Sequence, residues 1–120
     1  MIRTRFDIKA LGRLKAGQMN KSEQAYAQHL EHLKQRGDLL WWKFEGMKFR
    51  LADKTFLTPD FAVMKRDGQI SLHDVKGGYI FEDAKVKMKV AAEQYPFEFV
   101  IVKKDRGGIW SMTPIGNSEG

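Results

Sequence analysis

Two acidic residues and one lysine lie at the ends of two neighbouring stretches that are otherwise apolar. Asp60 is part of the segment Thr-Pro-Asp-Phe, and Asp74 and Lys76 are part of the segment Leu-His-Asp-Val-Lys-Gly-Gly. Ionisable side chains beside apolar strands reduce stability, so their presence requires a reason. Two carboxylates and an ammonium group that meet at one point can hold a divalent metal ion, a water molecule and a phosphodiester. These residue types therefore point to phosphodiester cleavage.

The second stretch places both of its charged groups on one face. Side chains alternate along a β-strand, so Asp74 and Lys76 project to the same side as the apolar Leu72. They extend a core-facing stripe to its polar end, where a Gly-Gly pair breaks the strand. A surface Asp–Lys pair beside a turn, worth about 0–1 kcal/mol, is the plainer alternative. It explains neither Asp60 nor the two glycines.

A predicted hairpin brings the two stretches together. An Asp-Gly pair in their connection is a strong hairpin signal. A two-residue turn there pairs Arg66 with Gln69 and places Asp74 opposite Phe61. Asp60 then lies within one residue of the level of Asp74, so the sequence predicts that the two carboxylates and the lysine converge.

An oxygen-rich site with few protein ligands suits Mg²⁺, which retains several waters and takes one or two carboxylates together with substrate phosphate. Such an ion polarises a phosphate and lowers the pKa of a bound water. Lys76 beside it can orient or deprotonate the attacking water and offset charge on the phosphorane.

Glu23 is the predicted fourth member of the site. It lies three and seven residues before the apolar Tyr26 and Leu30, so it shares their side of a helix and leans toward the sheet. Its carboxylate can reach a metal ion directly or through water. Glu23 is also the third residue after Asn20, which is the spacing of a capping box. Both roles stay open, and they can alternate between the metal-free and metal-bound states.

The elements around these residues predict an α/β (α+β) fold, with a mixed central β-sheet flanked by helices. Helical spacing runs from Asn20 to Gly37, and a second helix is predicted over residues 80–95. Residues 39–51 are interpreted as two strands joined at a tight turn or as one strand with a bulge at Gly46. Further strands are predicted over the ranges 55–64, where Pro59 indicates an edge position or a kink, 69–76, 97–102 and 109–112.

The length of 120 residues predicts one domain, with residues 20–112 as its body, residues 1–19 as a basic arm and residues 113–120 as a flexible tail. The absence of cysteine excludes disulfides and thiolate zinc sites and fits a reducing cytoplasm. No apolar run is long enough to span a bilayer, and charged residues interrupt any signal-peptide core. We therefore expect a cytoplasmic protein without a membrane partner.

The net charge of +6 is concentrated in the first half of the chain. Residues 1–50 contain 11 Lys and Arg against 5 Asp and Glu, whereas residues 51–120 contain 10 of each. Much of the excess lies in the arm, in Arg3, Arg5, Lys9, Arg13 and Lys15. A basic arm on a neutral body suggests a polyanionic partner such as DNA. The alternative is a solvated tail that maintains solubility.

Two lysines of the second predicted helix are additional candidates for phosphate binding. Lys85 and Lys89 lie one turn apart, opposite the apolar stripe. Lysines on a solvated helix face are equally ordinary. The histidines at positions 29, 32 and 73 lack the spacing of metal ligands, and His73 points away from Asp74 because it is the next residue on the strand.

The segment from Pro59-Asp60 to Asp74-Val75-Lys76, with thirteen intervening residues, resembles the signature of the PD-(D/E)XK nuclease superfamily. The predicted order, helix, three strands, helix, strand, resembles the core of that superfamily. More narrowly, residues 20–23, 42–45, 58–61, 74–77 and 83–87 resemble a small phage and prophage family related to endonuclease I-type junction resolvases. This narrower similarity extends over residues 18–104.

The resemblance implies a Mg²⁺- or Mn²⁺-dependent DNA endonuclease, active on branched DNA among other substrates, that leaves 5′-phosphate and 3′-hydroxyl ends. Asp60 and Asp74 would be metal ligands together with Val75, Lys76 the catalytic lysine, and Glu23 the acidic residue of the first helix. Aspartate at position 74, where glutamate is commoner, shortens the reach by one methylene. A homodimer is expected, since one small domain has one cleavage centre and cutting two strands symmetrically needs two.

Two other functions remain open from the sequence. A non-catalytic nucleic-acid-binding module on a nuclease-like fold would bind DNA in a salt-sensitive manner without turnover. An accessory protein would act through protein contacts anchored by Trp41 and Trp42. Adjacent strand residues point to opposite faces, so one of these two tryptophans is expected in the core.

Overall fold

A computed structural model describes residues 17–76 and 82–116 of the chain. The elements of this part, in chain order, are α1 (Lys21–Gln35), β1 (Leu39–Phe44), β2 (Phe49–Ala52), β3 (Thr55–Leu57), β4 (Phe61–Lys65), β5 (Ile70–Lys76), α2 (Glu82–Gln94), β6 (Glu98–Lys104) and β7 (Trp110–Ile115). Residues 1–16, 77–81 and 117–120 lie outside the described ranges, so the predictions for them are not tested. These include the basic arm residues Arg3, Arg5, Arg13 and Lys15 and the glycine pair after β5.

Five strands form the central sheet in the order β1-β4-β5-β6-β7, and β2 and β3 form a separate two-stranded ribbon. The β5–β6 pair is parallel and the other neighbours are antiparallel. The predicted mixed sheet flanked by helices is confirmed. Five strands precede α2, whereas the ranges predicted from the sequence gave three or four, and two strands follow it. Three of those five, β1, β4 and β5, belong to the central sheet.

The two faces of the sheet are covered by different elements. On one face α1 packs against apolar residues of β1, β4, β5 and β6; the buried members are Tyr26, Ala27, Leu30, Leu39, Phe61, Val63, Val75, Val100 and Val102. On the other face α2 and the β2–β3 ribbon cover a second core, whose buried members are Phe49, Leu51, Leu57, Ala62, Leu72, Met88, Ala91, Phe99 and Ile101. Alternation along β5 therefore sends Asp74 to the α2 face and His73 to the α1 face.

The predicted first helix is present, and its capping box is complete. The Asn20 side chain accepts a hydrogen bond from the Glu23 N–H at 2.8 Å, and the Glu23 carboxylate accepts one from the Asn20 N–H at 2.9 Å. These bonds satisfy backbone donors that the first helical turn cannot pair internally. The helix ends before Gly37, whose φ of +88° a residue with a side chain rarely adopts.

The predicted single strand over residues 55–64 is two strands. β3 ends at Leu57, and β4 begins at Phe61 in a different sheet. Pro59 lies in the break, since proline cannot donate a hydrogen bond to a ladder. Neither predicted alternative, an edge position or a kink within one strand, describes Pro59, because the chain leaves one sheet and enters another there.

The region of residues 39–51 also divides between two sheets. β1 ends at Phe44 and β2 begins at Phe49, and the two are not paired with each other. The irregular register of β1 lies between Leu39 and Trp41 rather than at Gly46. Gly46 instead permits the tight exit from β1, because a Cβ there would lie 2.9 Å from the Cβ of Lys43.

The predicted register of the β4–β5 hairpin is wrong by one residue. The Lys65 N–H donates to the Gln69 carbonyl at 2.8 Å, and the Gly68 N–H donates to the Lys65 carbonyl at 2.8 Å. The loop therefore has three residues and ends in Gly68 at a φ of +87°, a common hairpin connection. As a result Phe61 pairs with His73 rather than with Asp74.

The predicted flexible tail over residues 113–120 is wrong for residues 113–115, which belong to a strand. β7 extends to Ile115 and pairs with β6, with Thr113 opposite Ile101 and Ile115 opposite Phe99. Ile115 packs against the core on the α2 face, so burial of its side chain accounts for the longer strand. Neither of the two described helices is both long enough and apolar enough to cross a membrane.

Candidate active site

Asp60 and Asp74 are brought directly opposite each other by the observed register. Phe61 pairs with His73 and Ala62 with Leu72, so Asp60, the residue before β4, comes to the level of Asp74. Their contacts are reciprocal. The Asp60 N–H donates to Asp74 Oδ1 at 2.8 Å, and the Val75 N–H donates to Asp60 Oδ2 at 2.8 Å. Each carboxylate is thus oriented by the backbone beside the other, which holds both in place without using all of their lone pairs.

Lys76 completes the predicted triplet. Its Nζ lies 3.1 Å from Asp74 Oδ2, and the two side chains are only 12% and 9% exposed. An ion pair this sheltered differs from a surface pair, because removal of either partner leaves the other charge poorly solvated. The surface Asp–Lys alternative is therefore inconsistent with the structure.

A backbone contact from β1 fixes the position of Asp60. The Glu45 N–H donates to the Asp60 carbonyl at 2.7 Å. Glu45 has a φ of +51°, a left-handed conformation that is uncommon for a residue with a side chain. It is a half-buried turn residue directly after β1. Backbone strain of this kind is often found at functional sites.

The charge balance at the site favours a cation. Burial raises the pKa of Asp60 well above its usual range, and the charges of Asp74 and Glu23 raise it further. The Val75 N–H and the Lys76 ammonium lower it and do not compensate. Among the described residues, the charges of two carboxylates thus oppose the ionisation of Asp60 and the charge of one ammonium group favours it. A divalent ion would reverse the sign of this interaction and favour the ionised form of Asp60.

The side chains present fit Mg²⁺ or Mn²⁺ with a small protein ligand set. Asp60 and Asp74 can each contribute a carboxylate oxygen, and water and substrate phosphate would complete the shell. Val75 can take part only through its carbonyl, because its side chain packs in the α1-side core and its N–H bonds to Asp60. No cluster of three or more acidic, histidine or cysteine side chains suitable for a metal occurs within residues 17–76 and 82–116.

Glu23 performs the first of its two predicted roles. Its carboxylate is engaged by the Asn20 N–H in the capping box, and it is half-buried at the start of α1. Its charge nevertheless contributes to the raised pKa of Asp60, so the helix end lies within electrostatic range of the carboxylate pair. Its role as a metal ligand stays a prediction.

The lysines predicted to contact phosphate lie on α2. Lys85 is half-buried and Lys89 exposed.

The two adjacent tryptophans of β1 lie in different environments, as predicted. Trp42 packs against the α1-side core and donates to Glu31 at 2.9 Å, whereas Trp41 is 37% exposed.

A buried polar network behind the site was missed by the sequence analysis. Tyr26 Oη lies 2.7 Å from His73 Nδ1, and Ser71 Oγ lies 2.9 Å from His73 Nε2 and 2.8 Å from Glu98 Oε1. Serine has one proton to donate, and the Glu98 carboxylate can only accept. His73 is therefore the Nε2–H tautomer, and Tyr26 donates to its Nδ1. The network links α1 to the strand that contains Asp74, and the alternation of Ser71 and His73 on one face was its only sequence signal.

His73 predicts a loss of stability in mild acid. Burial lowers the pKa of His73 from 6.5 to about 4. The unfolded chain therefore binds a proton that the folded chain does not, and stability falls as the pH decreases from about 6.5 to about 4. The full contribution is roughly 3 kcal/mol. Urea unfolding at pH 7 and pH 4.5 in EDTA measures it.

The matched variants for this experiment are His73→Gln and His32→Gln, because His32 is exposed on α1. The first is expected to be less stable at pH 7 but less sensitive to pH than the parent protein. The second is expected to keep the parent's pH dependence. An unchanged pH dependence in His73→Gln would contradict the assignment.

Comparison of the chain with protein-family models, curated proteins and solved structures finds no match in any of the three. What the site can do is therefore inferred from its own geometry and chemistry.

Proposed function

We propose that this protein is a metal-dependent DNA endonuclease that hydrolyses phosphodiester bonds, including those of branched DNA. The observation that carries the proposal is the carboxylate pair of Asp60 and Asp74, cross-bonded through backbone N–H groups, with the Lys76 ammonium 3.1 Å from one of them. The resemblance of these segments to the PD-(D/E)XK signature supports the same chemistry.

The roles of the residues follow from their contacts. Asp60 and Asp74 would hold Mg²⁺ or Mn²⁺, which acts as a Lewis acid on the phosphate when bound. Lys76 is close enough to Asp74 to orient a water and to offset negative charge that develops on phosphorus. A water oxygen bonds to phosphorus as the bond to the 3′ oxygen breaks. One water proton ends on the 3′-hydroxyl, and the other stays with the 5′-phosphate or passes to solvent.

We further propose that the protein acts as a homodimer in the cytoplasm. A single pair of carboxylates cuts one strand at a time, so two copies are needed to cut both strands symmetrically. The absence of cysteine from the sequence fits a reducing compartment. Light scattering coupled to size-exclusion chromatography, with and without DNA, measures the number of copies.

The direct test is incubation of the purified full chain with linear, flapped and four-way-junction DNA. Cleavage is expected with Mg²⁺ or Mn²⁺, with 5′-phosphate ends, and none in EDTA. The variant Asp74→Asn keeps the size of the side chain and is expected to lose activity. If the parent binds these DNAs with strong salt dependence but cuts none with either metal, the protein is a binding module and not a nuclease.

A further inference from the structure

The β2–β3 ribbon has an apolar inner face and a cationic outer face. Phe49, Leu51 and Leu57 project inward and are buried in the core on the α2 side. On the outer face Arg50 and Phe56 are direct cross-strand partners. Phe56 is 42% exposed, although the next residue, Leu57, is buried on the inner face. Burial of an aromatic ring is favourable, so its exposure is unusual.

Three cationic groups surround the exposed ring of Phe56. Arg50 lies opposite it on β2, the Lys48 ammonium lies 4.6 Å from the ring centroid, and the Lys87 ammonium donates to the Phe56 carbonyl at 3.3 Å. Within the described part of the chain, none of these three cations forms an ion pair with a carboxylate. Cationic side chains without such partners are available to an anionic ligand.

The ribbon is held rigidly by the helix beneath it. The Tyr95 hydroxyl donates to the Arg50 carbonyl at 2.6 Å, and the Gln94 amide donates to the Leu51 carbonyl at 3.1 Å. Together with the Lys87 bond to Phe56, these contacts join α2 to both strands. The ring and its cations are thus positioned before any ligand arrives, which lowers the entropic cost of binding.

The exposed ring is close to the candidate active site along the chain. Asp60 is four positions after Phe56, so their Cα atoms are at most about 14 Å apart. Pro59 within this link is fully buried, which fixes its course. A ring and a carboxylate pair at this distance can contact nucleotides of one DNA segment.

We propose that Phe56, with Lys48, Arg50 and Lys87, is a stacking site for an unpaired base of single-stranded DNA. An exposed aromatic ring stacks on any base, and cations beside it track the backbone phosphates. The Lys48 ammonium, now over the ring, can move to an adjoining phosphate when a base takes its place. The stacking site rests on the proposed function for the chemistry of the neighbouring carboxylate pair. It adds to that function the substrate class, which is DNA with a single-stranded segment.

The test is binding of labelled oligothymidine of about 16 nucleotides, and of a duplex of equal length, by fluorescence anisotropy in EDTA. Phe56→Ala is expected to weaken binding of the single strand about tenfold or more and to change duplex binding less than about twofold. Phe56→Trp is expected to retain or improve single-strand binding. Ile109→Ala, which removes another exposed apolar side chain outside the ribbon, is the matched control and is expected to bind as the parent does.

Three outcomes would overturn the stacking site. They are no binding of the single strand by the parent, equal affinities of Phe56→Ala and the parent, and an equal loss for single strand and duplex. Tight binding of a polyglutamate peptide that also depends on Phe56 would identify an acidic protein as the partner and would equally overturn it. Binding is measured in EDTA and is therefore independent of cleavage. A parent that binds the single strand in EDTA but cuts no DNA with Mg²⁺ or Mn²⁺ contradicts the nuclease proposal and leaves the stacking site supported.

Discussion

Replacement of Lys76 by methionine is expected to slow DNA cleavage by about 100-fold or more. Methionine keeps most of the aliphatic volume of the largely buried lysine and removes its charge and its hydrogen-bond donors. The ammonium lies 3.1 Å from Asp74 Oδ2, so its loss removes both the group that orients water and the cation that offsets charge on phosphorus. Because this interaction strengthens as charge develops, the loss is expected in the rate of the chemical step and not in DNA affinity.

Single-turnover cleavage at saturating protein measures the rate of the chemical step. A separate binding measurement in EDTA gives the DNA affinity, so a loss of rate is distinguished from a loss of affinity. Lys65→Met is the matched control, because Lys65 is also a strand lysine paired with a carboxylate, Glu98, at 3.3 Å. It lies at the hairpin end of β4, away from Asp60, and is expected to leave the rate within a few-fold of the parent. Equal rates for Lys76→Met and the parent would refute the role of Lys76, as would equal losses in both lysine variants.

Asp60→Asn is expected to abolish cleavage and, at the same time, to stabilise the metal-free protein. Burial and the charges of Asp74 and Glu23 raise the pKa of Asp60, so its ionised form is unfavourable in the fold. Asparagine can still accept the hydrogen bond from the Val75 N–H and carries no charge. The gain is expected to be on the order of 1 kcal/mol at neutral pH, typical of substitutions that relieve a strained active site.

The pH dependence of this gain has a definite sign. A carboxyl whose folded pKa is raised destabilises the fold at pH values above its unfolded pKa, because ionisation is easier in the unfolded chain. The advantage of Asp60→Asn should therefore be largest at neutral pH and disappear toward the unfolded pKa near 3.9. Thermal unfolding in EDTA across this range measures it.

Addition of Mg²⁺ or Mn²⁺ provides the second half of the experiment. The parent is expected to gain stability in proportion to the occupancy of the site, whereas Asp60→Asn is expected to gain little. Asp38→Asn, which changes a half-buried acid three residues after α1 that is paired with Arg36, should respond to the metal as the parent does. A parent whose stability does not change at millimolar metal would contradict the assignment of Asp60 as a ligand.

Much of the candidate site could be predicted from local sequence. Strand alternation was sufficient to place Asp74 and Lys76 on one face, and a hairpin signal was sufficient to bring Asp60 to their level. The capping box at Asn20 and Glu23 was equally local, because its partners are three residues apart. These features depend on spacing within a few residues, which backbone geometry translates directly into direction.

The tertiary structure was needed wherever partners are distant in the chain or where one residue changes the outcome. The loop of the β4–β5 hairpin has three residues rather than two, and this single difference pairs Phe61 with His73 and brings Asp60 to the level of Asp74. The contacts of Tyr26 with His73 and of Ser71 with Glu98 join residues 47 and 27 positions apart. Which sheet each of β2 and β3 joins, and hence which face exposes Phe56, depends on long-range packing against α2. Local propensity cannot encode such choices, because they are made by the free energy of burying surfaces that meet only in the folded chain.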